Sequence, residues 1–474
     1  MSFDLKEMVA ARLGENYDLH DKHINRTLVK VQRTIGFDKV YARAQGAYLY
    51  DMDGKDYLDF LSGYGVFNMG RNHPEIQKAI RDVLEMDLPN MVQMDCSLLS
   101  GLLAEAITKR TGPNLDAVFF CNSGTESIEG ALKFAKCHTG RSRILSLTQS
   151  YHGLSYGSLS VTGNKNFQEG FGPFMPGAEW VKAYDLSELE QKLKSRDVAA
   201  FIAEPVQGKG VNYPSDDFFI KAQELCRKYG TLFICDEVQT GLGRTGKMFG
   251  FQHWNLDPDI ITMAKALSGG YVPTAAFITR RDIYQSVFSR MDRCVVHSTT
   301  FGRNNLAMAC GLASLHILDR ENLVENSRIQ GEKLMAAVLE LQKKHDIIKE
   351  VRGKGLMMAI EFQQPSSLKL KLAWKAIHAV DKGLFPQMIV TQLMQKHRIL
   401  TQVAGHNLDV VKILPPLIIG DKEIERFVTA LDDVIGDIAK FPGPVWDFGT
   451  NLVKQALKSN YGAKETDAAL ASKV

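Results

Sequence analysis

The 474-residue chain has no CxxC pair, no block of like charge and no HExxH motif among its twelve histidines. It also has no apolar run approaching the roughly 18 residues that mark a membrane-spanning helix. Each absence removes a class of function. Seven scattered cysteines suit reduced thiols better than a disulfide framework. With 57 basic against 54 acidic side chains the net charge is +3, which gives no electrostatic footprint for nucleic acid. Histidines without ligand spacing predict no metal. The opening MSFDLKEMVAARLGENYD mixes acids and bases and has no apolar stretch of signal-peptide type. These readings predict a cytoplasmic protein with no membrane and no nucleic-acid partner.

What is present is ordinary globular material, 45% hydrophobic and 23% charged. At roughly 150 residues per domain, two or three domains are expected, and no internal repeat divides the chain. Short apolar runs alternate with helix-length amphipathic segments: AVFF (117–120), RILSL (143–147), AAFIA (199–203), TLFIC (231–235), DIITMA (259–264) and AAFIT (275–279). Continuous apolar runs of this length suit strands covered on both faces, and alternation with helices predicts a mostly parallel α/β sheet with right-handed crossovers. Residues 75–330 therefore read as one large α/β domain. Residues 1–74 contain a hairpin pattern, with Tyr and Leu flanking the Asp53-Gly54 turn. They are expected to join a smaller α+β domain at 331–445, and 446–474 reads as a polar tail.

The chemistry lies just past the strand ends, because ligands of parallel sheets sit at the carboxyl ends of the strands. The runs end in Asn122-Ser123-Gly124-Thr125, Ser150-Tyr151-His152-Gly153, Glu204-Pro205, Asp236-Glu237-Val238-Gln239 and Lys265. Lys265 closes an apolar strand. It is either a lysine whose stem snorkels outward or a desolvated amine with a lowered pKa, the nucleophile that Schiff-base chemistry needs. Asp236 needs a partner for a buried carboxylate, and either a salt bridge or a protonated pyridine nitrogen would serve. The stretch CNSGTESIEGALKFAK is a strand, a turn of small residues and a helix. It reads equally as a phosphate site on helix N–H groups or as a plain capping turn. Tyr151 is a ring for stacking on a planar group or a core aromatic, and His152 and His297 lie close by with no role assigned.

Taken together, CNSGTESIEGALKFAK, SYHGLSYGSLSVTG, CDEVQTGLGRTGKMF, MAKALSGG, HSTTFGRNNLA and VRGKGLMMAIEF resemble class III, fold-type-I aminotransferases. These enzymes depend on pyridoxal 5′-phosphate (PLP), and the resemblance to putrescine and ornithine aminotransferases runs along nearly the whole chain. It implies a large, mostly parallel seven-stranded sheet and transfer of an amino group, by a ping-pong route, from a primary amine, diamine or omega-amino acid to a 2-oxo acid or aldehyde. Decarboxylases, racemases and aminomutases of the same fold are the alternative. The resemblance makes Lys265 the cofactor-bearing lysine and proton shuttle, and Asp236 the partner of the pyridinium nitrogen. Ser123, Gly124 and Thr125 hold the phosphate, Tyr151 stacks on the ring, Gln239 approaches its hydroxyl, and Glu204 lies near it. Thr300 reaches the phosphate of a neighbouring subunit, which implies a homodimer. Tyr64, with Val66 and Phe67, is expected at the substrate entrance.

Two positions depart from the pattern. Members that grip an amino-acid carboxylate use an arginine before the Pro-Pro pair, where this chain has Lys412, and a glutamate after EPxQG, where it has Lys209. A lysine binds a carboxylate as a point charge and lacks the bidentate fork. Lys209 and Lys412 are thus candidate substrate-binding residues for an anionic or unusual acceptor, or else solvent-facing. GLGRTG (241–246) also satisfies GxGxxG and nearly a P-loop, but DEVQT separates it from its strand and Met248 stands where magnesium needs Ser or Thr. A dinucleotide-dependent oxidoreductase and an NTPase are therefore disfavoured.

Overall fold

The strand Leu232–Asp236 lies at the middle of a seven-stranded sheet. In spatial order its strands are Ala117–Cys121, Ala275–Thr279, Ile260–Met263, Leu232–Asp236, Val198–Ala203, Arg143–Leu147 and Ala178–Val181. The structure is a computed structural model. It describes residues 3–438 except 215 and 216, together with 440, 443, 446 and 449. The rest of the tail expected at 446–474 lies outside the described residues.

Ala275–Thr279 runs antiparallel to both of its neighbours, and the remaining pairings from Ile260–Met263 outward are parallel. The apolar runs are continuous because both faces are covered. Phe201, Phe233, Ile261 and Ile278 join one core cluster, whereas Ile202, Ile234, Ile260 and Phe277 join another. The helix Gly124–Thr139 contributes Ile128, Ala131, Leu132, Phe134 and Ala135 to the second face. Each fully buried Leu, Ile or Phe there is worth about 1.5–3 kcal/mol. Ala178–Val181 was not among the six apolar runs. As an edge strand it is mostly half-buried, so AEWV carries no continuous apolar signal.

The remaining strands form two four-stranded sheets. In one, Tyr41–Gln45, Tyr48–Asp51 and Asp56–Asp59 are antiparallel neighbours, and Asp56–Asp59 pairs in parallel with Ile399–Leu400. The second joins Ile348–Lys354, Met357–Phe362, Val410–Ile413 and Gln402–Val403. The chain start therefore packs on residues some 340 positions away.

GLGRTG sits where these parts meet. Arg244 is fully buried and donates to the carbonyls of Leu356 (2.9 Å) and Pro415 (2.5 Å) and to Oδ1 of Asn68 (2.6 Å). Its glycines Gly243 and Gly246 adopt positive φ, and the motif works as a structural corner. Among the described residues, no helix is long and apolar enough to cross a membrane.

Candidate active site

Strand ends of the large sheet deliver their polar residues to one cavity of about 1110 Å³. After Ala117–Cys121, the Asn122 backbone and side-chain N–H groups donate to Glu126 Oε2 at 2.8 and 3.0 Å. Ser123 caps the helix by accepting the Glu126 N–H at 3.3 Å. The N–H groups of Gly124 and Thr125 have no partner among the described residues and line the cavity at the positive end of the helix. Position 124 must be glycine for space, since a Cβ would meet Val238 Cγ1 at 2.9 Å. The Thr125 hydroxyl is shared with those of Ser155 and Ser158.

Glu204, buried at the end of Val198–Ala203, accepts the Tyr151 N–H at 2.8 Å and the Gly208 N–H at 2.6 Å. It thus ties the loop that presents the Tyr151 ring to the loop that carries Lys209. Burial pushes its pKa above the usual carboxylate range. Asp236 ends the central strand. Its Oδ1 accepts from the Val238 N–H (3.0 Å) and the Thr262 hydroxyl (3.1 Å), and its Oδ2 faces His152 Nδ1 at 2.7 Å. The other ring nitrogen, His152 Nε2, is buried with no hydrogen-bond partner among the described residues.

Lys265 follows Ile260–Met263 with a left-handed φ of 48°, and its amine has no hydrogen bond among the described residues. Burial lowers its pKa, opposed by Asp236 and Glu204 and assisted by Lys209. The neutral, nucleophilic amine is therefore reached at lower pH than in water. Across the cavity, Gln239 donates through Nε2 to the Tyr64 carbonyl (2.8 Å) and accepts through Oε1 from Lys412 (2.5 Å).

Of the residues singled out in the sequence, Ser123, Gly124, Thr125, Tyr151, Glu204, Asp236, Gln239, Lys265, Tyr64, Val66, Lys209 and Lys412 all line this cavity. Neither lysine faces bulk solvent alone. Thr300 is exposed on a bend and does not line it. Phe67 is also absent from the lining, because its ring is taken up by the Arg71 guanidinium, 4.0 Å from the ring centroid. Sequence reasoning left His152 without a role, although its adjacency to Tyr151 was the available signal. It missed Phe167, Gln402 and Ala404, which reach the cavity from segments with no motif.

The cavity joins an amine, a carboxylate, an aromatic ring and the free N–H groups of a helix start. Residues 31–435 match the family described as aminotransferase class-III. The chain belongs to the class-III aminotransferases. It is 33% identical over 459 residues to the aminotransferase PigE of a Serratia species, covering 90% of this chain and 54% of that protein, and so spans about half of that relative's length. It is 37% identical over 399 residues to the putrescine aminotransferase of Pectobacterium atrosepticum, covering 82% of this chain and 80% of that one. Among solved structures, the ornithine aminotransferase of Toxoplasma gondii with PLP partly occupying its active site superposes with a TM-score of 0.78 at 28% identity, covering 93% of this chain and all of that one.

This aminotransferase is accordingly a PLP enzyme of fold type I. Its cavity fits that cofactor: the two unpartnered N–H groups suit a phosphate, Asp236 suits a ring nitrogen, and the free Lys265 amine suits the carbonyl carbon.

Proposed function

We propose that this aminotransferase moves the amino group of a primary amine, diamine or omega-amino acid to a 2-oxo acid or aldehyde, with each half-reaction completed in the same cavity. The observation that carries the reading is the convergence of Lys265, Asp236 and the start of helix Gly124–Thr139 on one cavity. When bound, PLP supplies a ring that accepts the electron pair left when the donor carbon loses its proton. The chain's own residues do the rest. Lys265 holds the cofactor between turnovers and, once displaced by the donor, carries the proton at its Nζ from the donor carbon to the cofactor. Asp236, held in place by Val238, Thr262 and His152, keeps a positive charge on the ring nitrogen.

Ser123, Gly124 and Thr125 bind the phosphate, Tyr151 covers the ring, and Gln239 addresses its hydroxyl. Glu204 positions the Tyr151 ring through its backbone and holds the loop at Gly208. Tyr64 stands at the entrance, with its side chain exposed. The similarity to proteins named putrescine and ornithine aminotransferases favours terminal amines as donors. The enzyme acts as a cytoplasmic homodimer in which Thr300 of each chain completes the phosphate site of the other. The exposed apolar side chains Met291, Val295, Val296 and Phe301 on the same segment support such a contact.

The test is turnover of 1,4-diaminobutane, ornithine and simple primary amines with pyruvate or 2-oxoglutarate. Parallel double-reciprocal lines with at least one terminal amine are expected. Release of carbon dioxide or racemised product without amino transfer would overturn the reading.

A further inference from the structure

Lys209 and Lys412 share the cavity, yet their amines stand in different surroundings. Lys412 is 3% exposed, and its amine donates to the Gly208 carbonyl at 2.6 Å and to Gln239 Oε1 at 2.5 Å. Both of these acceptors belong to the protein. Burial first, and then repulsion from Lys265, push its pKa well below an ordinary lysine's, opposed by Glu204. Such an amine is a poor anion ligand. Its bond instead fixes Gln239, whose other end is held by the Tyr64 carbonyl at 2.8 Å.

Lys209 has no carboxylate and no hydrogen-bond acceptor on its amine among the described residues. The amine stands 5.6 Å from the Tyr151 ring centroid and 5.2 Å from that of Phe167. Its stem passes the loop between Gln402–Val403 and Val410–Ile413, where a Cβ on Gly405 would meet Lys209 Cδ at 3.4 Å. The acid nearest in charge, Glu204, already accepts two backbone N–H groups. Burial lowers the pKa of Lys209 as well, opposed by Glu204, so what sets it apart is geometry: its amine stands between two rings in the cavity wall, with no hydrogen bond or ion pair among the described residues.

From this juxtaposition we propose that Lys209 recognises the negative end of a carboxylate-bearing carbonyl acceptor, and that Lys412 is a positioning residue that fixes Gln239 without touching substrate. The assignment rests on the amino-transfer reading and names the acceptor class for it. The acceptor's carboxylate lies beside the Tyr151 and Phe167 rings, where a fork-like bidentate grip is replaced by a single point charge. Acceptors with a carboxylate remote from the carbonyl gain over neutral aldehydes of the same length.

The holoenzyme and its K209M and K412M variants separate the two roles. Glutarate, a dicarboxylate without a reactive carbonyl, is titrated by calorimetry, so that binding is read without turnover. K209M should weaken glutarate about tenfold or more, the loss of one charge-assisted contact. It should also lower kcat/KM for 2-oxoglutarate about tenfold more than for butanal. K412M should keep glutarate affinity within about threefold and shift the visible absorbance maximum of the bound cofactor, because Gln239 loses its anchor; K209M should leave that maximum in place. No glutarate binding by wild type, K209M binding within about threefold of wild type, or a K412M loss equal to that of K209M would each overturn the division of roles. Absence of turnover by wild type with every donor would sink the donor and acceptor reading, while the glutarate comparison still reports on Lys209.

Discussion

At the residue scale the site works by giving similar groups different surroundings. Three lysines reach one cavity, but only Lys265 combines burial, a left-handed backbone and an amine with no hydrogen-bond partner among the described residues. Lys265→Ala should abolish turnover and the visible band of the lysine-bound cofactor together; substantial residual activity would remove Lys265 from its role. Burial also predicts a pH effect. Because the Lys265 pKa is lowered, its neutral form prevails from a lower pH than in a free lysine. Cofactor recapture by the stripped enzyme should therefore speed up as pH rises and level off below the midpoint of an exposed lysine. A stopped-flow midpoint at the ordinary lysine value would contradict this. Asp236→Asn keeps the shape and removes the charge. It should lower kcat by about a hundredfold or more and weaken retention of the cofactor through dialysis, the usual scale for losing a preorganised charge at a reacting centre. A variant with wild-type kcat would show that another group protonates the ring.

At the element scale, the loops after Val198–Ala203 and Leu232–Asp236 are held against each other where Gly208 passes. A Cβ there would meet Gln239 Oε1 at 2.9 Å and Glu204 Oε2 at 3.1 Å. Gly208→Ala should leave the circular dichroism spectrum unchanged while kcat/KM falls about tenfold or more, since small displacements of the groups that orient the reacting atoms are costly. Unchanged kinetics would mean that Gln239 and Glu204 give way freely. The GLGRTG corner makes the opposite kind of prediction. Arg244→Met leaves two carbonyls and the Asn68 amide oxygen buried without their donor. At about 1–3 kcal/mol per orphaned group, the apparent melting temperature should drop by about 5 °C or more. A fully stable variant would show that water replaces the guanidinium.

For the whole molecule, the exposed Thr300 and its apolar neighbours bear on assembly. Sedimentation should report a particle of two 52.9 kDa chains. If Thr300 serves the partner's cavity, Lys265→Ala and Thr300→Glu chains should each be impaired alone and regain activity when mixed from denaturant. Statistical pairing makes half of the dimers mixed, each with one intact site, so about a quarter of wild-type activity should return. No recovery in mixed dimers would place Thr300 outside the shared site. The architecture was largely legible in the sequence, because strands covered on both faces must be apolar throughout, and such runs end where polar chemistry begins. The edge strand Ala178–Val181 and the antiparallel direction of Ala275–Thr279 were not, since an edge strand needs no apolar run and direction leaves no mark on local composition.

Sequence alone determined the type of sheet, the order of the chemical groups along it and the presence of Lys265, Asp236 and a helix opening on a turn of small residues. All of these are local properties of pattern and residue type. Tertiary structure decided which groups face one another: His152 against Asp236, Lys412 against Gln239, and Lys209 beside two rings with no hydrogen bond or ion pair among the described residues. Burial and charge pairing arise between segments far apart in the chain. Two lysines alike in sequence therefore differ in availability only once the fold has fixed their neighbours.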